Sequence, residues 1–140
     1  MTIKKLLVVL LCFLLMIIPV QEAFADSGSN QIIQPRNELT ASTTGSLTIS
    51  SSGTAYVGAE VISKVSNTTK VFLHVYLQQY VNGTWQNYRY WPASSQSDSC
   101  SLYQSVAVNK GYSYRVKVSS WVMANGNSEQ IVVYTGSKWY

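Results

Sequence analysis

Lys110-Gly111-Tyr112-Ser113-Tyr114-Arg115-Val116-Lys117-Val118 decides how this chain is read. Asn109, Lys110 and Gly111 supply turn chemistry. Tyr112, Tyr114, Val116 and Val118 then recur at every second position, against Ser113, Arg115 and Lys117. A period of two matches the alternation of side chains across a pleated backbone, so the stretch predicts a half-buried β-strand. It carries a fold signal and no catalytic signature.

The same alternation recurs on both sides. Downstream, the strand runs on to Val122, and Asn125-Gly126-Asn127 turns the chain into a last strand from Gln130 to Thr135. Upstream, Cys100 to Val108 forms a weaker strand with Leu102, Val106 and Val108 as its apolar points, after a polar loop from Pro92 to Asp98. The longest strand sets Val71, Leu73, Val75 and Leu77 on one face, and Phe72, His74, Tyr76, Gln78 and Tyr80 on the other. Asn82-Gly83 follows it as a strong hairpin signal, because both residues tolerate the positive φ of a type I′ turn. A two-residue turn pairs Tyr80 with Trp85, Leu77 with Tyr88 and Tyr76 with Arg89, and puts Tyr88 and Tyr90 beside Leu77 and Val75. A bulged three-residue loop would shift the register by one and swap the faces of the returning strand. Before this hairpin, Ala55, Val57, Ala59 and Val61 form the expected core face of a second strand, since Glu60 on the other face is costly to bury. Leu47 and Ile49 mark a first strand, closed by Ser51-Ser52-Gly53.

Seven short strands with turn signals between them, and no helical period after residue 25, predict an all-β chain. The pattern turn-Gly-x-x-Tyr-x-Val-x-Val resembles the start of the sixth strand in immunoglobulin-like and fibronectin type III sandwiches. There a tyrosine hydroxyl bonds back to the backbone of the preceding loop. The expected fold is a single immunoglobulin-like antiparallel β-sandwich of about seven strands over residues 38–140, with a flexible leader at 26–37 and a signal peptide helix at 1–25. Ser46 to Ser50, Thr68-Thr69-Lys70-Val71, Leu77-Gln78, Gly83 to Trp85, Lys110 to Val118 and Glu129 to Val132 also resemble a family of small secreted proteins of unknown function from Gram-positive bacteria. That resemblance implies a compact β-domain and brings no activity, ligand or catalytic residue with it.

Lys4 and Lys5, the apolar run Leu6 to Ile18, Pro19 and Ala23-Phe24-Ala25 have the order of an export signal with a small-x-small cleavage site. The run is shorter than the roughly 20 residues of a spanning helix, so stable membrane insertion after cleavage is not expected. Cys12 lacks the small residues that precede a lipidated cysteine, and the last residues show neither a hydrophobic tail nor a sorting pattern. Secretion to the outside is the expectation, with loose envelope association as its variant. After residue 25 the chain holds eight Lys and Arg against five Asp and Glu, a charge of +3. This falls short of the clustered basic footprint of a nucleic-acid binder. Cys100 is then the one cysteine, so packing alone holds the fold; an unpaired, partly buried thiol is expected, with an intermolecular bridge as the alternative.

Catalysis has little to work with. His74 is the one histidine and has no nucleophile-base signature around it. One His and one distant Cys give no zinc spacing, and the carboxylates Asp26, Glu38, Glu60, Asp98 and Glu129 stand apart. No enzyme activity, cofactor or metal is expected. Aromatic content stands out instead: ten Tyr and four Trp, all after residue 25. The expected register collects Tyr76, Tyr80, Trp85, Arg89, Trp91 and Trp121 on an outward face, with Phe72 and His74, and with Arg115 and Lys117 if the sixth strand lies alongside. Planar side chains on a sheet suit stacking on sugar rings or burial against a protein partner. An extracellular binding or adhesion module follows, with carbohydrate, a protein or a second copy of the chain as partner. The alternative is a structural or envelope-associated protein whose aromatics serve sheet stability, since such residues favour strands without any ligand. Mass spectrometry of the culture supernatant is expected to show Asp26 at the N-terminus; intact precursor held in the membrane would contradict the export signal.

Overall fold

The computed structural model describes residues 38–140, so the signal peptide expected at 1–25 and the leader expected at 26–37 lie outside the described residues. Eight strands follow: β1 (Thr40–Ile49), β2 (Thr54–Ser63), β3 (Thr68–Val81), β4 (Thr84–Ser95), β5 (Ser99–Ala107), β6 (Ser113–Ala124), β7 (Asn127–Tyr134) and a two-residue β8 (Lys138–Trp139). All pair antiparallel. One sheet has the order β1-β2-β5; the other runs β4-β3-β6-β7, with β8 paired to the start of β6. Leaving aside the two-residue β8, this is an immunoglobulin-like sandwich of three strands against four, in which β4 stays beside its hairpin partner β3 instead of joining the first sheet.

The core lies between the two inner faces. β2 contributes Ala55, Val57, Ala59 and Val61; β3 contributes Val71, Leu73, Val75 and Leu77; β6 contributes Tyr114, Val116, Val118 and Val122. These are the faces that the period of two assigns. Cys100 on β5 is buried and unpaired, and burial pushes its thiol up, away from the reactive thiolate. Two features let β1 approach the second sheet closely. A Cβ at Gly45 would stand 2.9 Å from Val118 Cγ2, so only glycine fits there without displacement. Beside it, the buried Thr43 and Ser120 hydroxyls share a hydrogen bond of 2.7 Å between the sheets.

The tyrosine corner is present. The Tyr114 ring is fully buried, and its hydroxyl donates to the Asn109 carbonyl at 2.9 Å. The same oxygen accepts from the Asn109 N–H at 3.0 Å and from Gln79 Nε2 at 2.8 Å. Burial pushes the phenol pKa up, against the pull of Gln79 and Asn109, so the group stays a neutral donor.

The hairpin departs from the expected register. Asn82 and Gly83 do form a two-residue turn with φ of 50° and 83°, and Tyr80 does pair with Trp85. Past the pair Gln78↔Asn87, however, the next pair is Leu77↔Arg89, so Tyr88 is an extra residue. This β-bulge turns the Tyr88 ring inward, edge-on to Tyr114 at 5.8 Å, with its hydroxyl 3.3 Å from the Ala107 carbonyl. The expected pairs Leu77 with Tyr88 and Tyr76 with Arg89 are thereby replaced by Leu77 with Arg89 and Tyr76 with Tyr90. The polar loop expected from Pro92 to Asp98 also shrinks to residues 96–98, because β4 continues through Pro92 to Ser95. A proline is tolerated there because β4 is an edge strand, where one side of the backbone has no ladder to complete.

At the far end, Glu129 on β7 fastens the start of β1. Its carboxylate accepts from the backbone N–H groups of Glu38 and Thr40, each at 2.8 Å. Burial pushes this carboxyl up, but the hydrogen bonds from Thr40 and Glu38 outweigh it and hold its pKa below the ordinary Glu value.

Two outcomes follow. Tyr114→Phe is expected to cost about 1–3 kcal/mol in chemical denaturation, since it strips partners from Asn109 and Gln79; a loss indistinguishable from zero would remove the corner's role. Glu129→Gln is expected to destabilise by about 1 kcal/mol at neutral pH. A depressed carboxylate stabilises the folded state above its unfolded pKa, near 4.3, and loses that contribution as pH falls through the lower folded value. The gap between the two proteins' melting curves should therefore shrink as pH falls below about 4.3, and a pH-independent gap would contradict the clamp.

Candidate functional site

The outer face of the β4-β3-β6-β7 sheet is a lattice of rings and cations. Along β3, the outward residues are Lys70, Phe72, His74, Tyr76, Gln78 and Tyr80. Cross-strand neighbours follow from the register: Tyr76 lies between Tyr90 and Lys117, Phe72 is beside Trp121, and Tyr80 is beside Trp85. Ring centroids are 4.9 Å apart for Tyr76 and Tyr90, 5.1 Å for Tyr80 and Trp85, and 4.8 Å for His74 and Trp121. His74 also meets Tyr90 edge-on at 5.6 Å. These separations lie within the range where aromatic pairs attract beyond simple burial.

Each cation of the face stands over a ring. Lys70 lies 4.6 Å from the Phe72 centroid and Lys117 lies 5.5 Å from that of Tyr76. Arg115 is held between two rings, with its guanidinium carbon 4.4 Å from both Trp85 and Tyr134. Its Nε donates to Gln78 Oε1 at 2.9 Å, and Gln78 Nε2 donates to Asn87 Oδ1 at 2.9 Å. Gln78 is 8% exposed, so this outward-facing amide is nearly closed off from solvent and links Arg115 on β6 to Asn87 on β4. The alternate residues that form this face include no carboxylate among the described residues. Glu129 sits on the same sheet but is turned to the β1 backbone.

Four of the six residues expected at the site are on this face: Tyr76, Tyr80, Trp85 and Trp121. Arg89 and Trp91 are not, and the Tyr88 bulge is the reason. Arg89 falls opposite Leu77, lies 4.5 Å over the Tyr88 ring and donates to the Tyr88 carbonyl at 2.7 Å. Trp91 falls opposite Val75 and packs against the core. Tyr90 takes the place expected for Arg89. Arg115 and Lys117 join as expected, because β6 lies beside β3. Tyr134 was missed, although a signal for it existed: a two-residue Asn125-Gly126 turn sets Ala124 opposite Asn127, and counting on brings Tyr134 opposite Lys117.

Among the described residues no three His, Cys, Asp or Glu side chains are grouped so as to hold a metal ion. What the face offers is planar apolar surface at fixed spacing, with positive charge interleaved.

No family model and no curated protein matches the chain. Among solved structures it is similar to a protein of Archaeoglobus fulgidus known from its crystal structure. The match has 10% identity and a TM-score of 0.36, covering 72% of this chain and 97% of that one.

Proposed function

We propose that the protein is an exported, non-catalytic binding module that takes its ligand on the outer face of the four-stranded sheet. The observation that carries this reading is the Arg115 stack, a guanidinium fixed between Trp85 and Tyr134 on a face without carboxylates. Ring faces attract the C–H faces of sugars and the flat side chains of protein partners, and a preformed platform loses little conformational entropy on binding. Three cations with no facing acid favour an acidic partner, and an acidic polysaccharide combines that charge with the rings' stacking preference. Export is supported by the Lys4-Lys5 start, the apolar run and the Ala23-Phe24-Ala25 site, which suit an extracellular or envelope glycan as ligand.

One observation favours the alternative, a structural protein without a specific ligand. Nearly every ring of the face already has a ring or a cation as its neighbour, and such cross-strand pairs stabilise a sheet by roughly 0.2–1 kcal/mol each with nothing bound. Trp85→Ala separates the two readings, because Trp85 touches both Tyr80 and Arg115 yet lies outside the core. The variant is expected to lose about 1–2 kcal/mol of stability from these contacts. Its affinity for an acidic polysaccharide, measured by calorimetry, should fall by about 2 kcal/mol or more, and wild-type binding should weaken as salt is raised. If wild type binds none of a panel of acidic polysaccharides, or Trp85→Ala binds them as tightly, the structural alternative stands.

A further inference from the structure

The opposite face of the sandwich has a different chemistry. On the outer side of the β1-β2-β5 sheet, β2 presents Tyr56, Gly58, Glu60 and Ile62. Gly58 lies between Ser46 of β1 and Tyr103 of β5 and is the outward position of β2 with no side chain. A Cβ there would meet Ser46 Oγ at 2.5 Å and the Tyr103 ring at 3.2–3.3 Å, so both neighbours lean into the gap. The result is an open depression of about 410 Å³ along the middle of the sheet, walled by Tyr56 and Tyr103 and lined by Ser46, Thr48 and Ser105. Tyr103 is 75% exposed and Tyr56 is 53% exposed, so both rings are open to a ligand.

We infer that this depression is a second binding site, for a neutral sugar unit of a glycan chain. A sugar ring has apolar C–H faces and a rim of hydroxyls, and the two kinds of wall match those two surfaces. The tyrosine rings offer stacking surface, and the Ser and Thr hydroxyls both donate and accept. Charge decides the class of sugar. The depression holds no Lys or Arg, and Glu60 lies at its end with Oε1 accepting from the Ser101 hydroxyl at 3.2 Å. A carboxylate repels an acidic ligand and accepts from a sugar hydroxyl, so this face excludes the charged ligands that the other face attracts. Gly58 sets the depth, since any side chain there would displace Tyr103 and fill the floor. The inference is independent of the four-stranded face, with which it shares no residue.

The test is an NMR titration of the mature protein with neutral oligosaccharides: separate short chains of glucose, of mannose and of N-acetylglucosamine. One of these is expected to shift the backbone signals of Ser46, Gly58 and Tyr103 in a saturable way. Tyr103→Ala should weaken that binding by at least about tenfold, with an unchanged melting temperature because the ring is mostly in solvent. Gly58→Ala should weaken it too, and Trp85→Ala should bind like wild type. The inference falls if none of these sugars shifts the Gly58 region, if Tyr103→Ala binds as well as wild type, or if the shifts map to Trp85 and Trp121. That last result would leave the four-stranded face as the sole site.

Discussion

The fold hangs on one oxygen. Tyr114 carries the largest fully buried side chain in the core, and burying a phenol without partners would work against the fold. Its hydroxyl has one proton and two acceptor positions, and the Asn109 carbonyl, the Asn109 N–H and Gln79 Nε2 match them one for one. That satisfaction ties three pieces of chain together: the loop before β6, the end of β3 and β6 itself. It also supplies the ring that Tyr88 meets edge-on, and Tyr88 is the extra residue of the bulge that sorts the β4 side chains between its faces.

From that sorting comes the character of the outer surface. With Tyr88 drawn inward, Arg89 goes with it and stacks on Tyr88, while Tyr90 swings out beside Tyr76. The four-stranded face thus gains a ring and gives up a cation, and its remaining charges are each seated on an aromatic neighbour. On the three-stranded sheet the governing residue is the smallest one, since Gly58 leaves the space into which Tyr103 and Ser46 lean. Two sheets of one small domain therefore present opposite chemistries, one cationic and ring-covered, the other rich in hydroxyls with a single carboxylate. Their separation follows from the alternation of side chains along strands that pass between a common core and two outer faces.

Much of this is legible in the sequence, for physical reasons. Alternation with a period of two marks inner faces reliably where Val and Leu repeat, as in β2, β3 and β6. Asn82-Gly83 and Asn125-Gly126 announce their turns because few other residues accept positive φ. Tyr114 was legible from its place after a glycine turn. The Tyr88 bulge was not, because it answers a contact with a residue twenty-six positions later, and no local propensity records that. Pro92 and its serine neighbours looked like a loop by composition, yet Ala93 packs on the core and the edge position spares Pro92 its missing N–H. The Gly58 depression was hidden for a related reason: a glycine within a strand shows a gap only when the residues across the ladder are known.

Sheets with exposed rims invite end-to-end growth, because a row of unpaired amides and carbonyls templates another strand. β4 is such a rim, and it borders the surface where most of the rings lie. The extra residue at Tyr88 and the missing amide hydrogen at Pro92 break that row in two places, leaving no long, flat run of backbone for a neighbouring molecule to zip onto. On this side the ring-covered plane therefore ends at a margin that is poorly suited to pairing with another strand. A partner is left to approach that plane from above, through side chains, and not along the margin of the sheet through backbone.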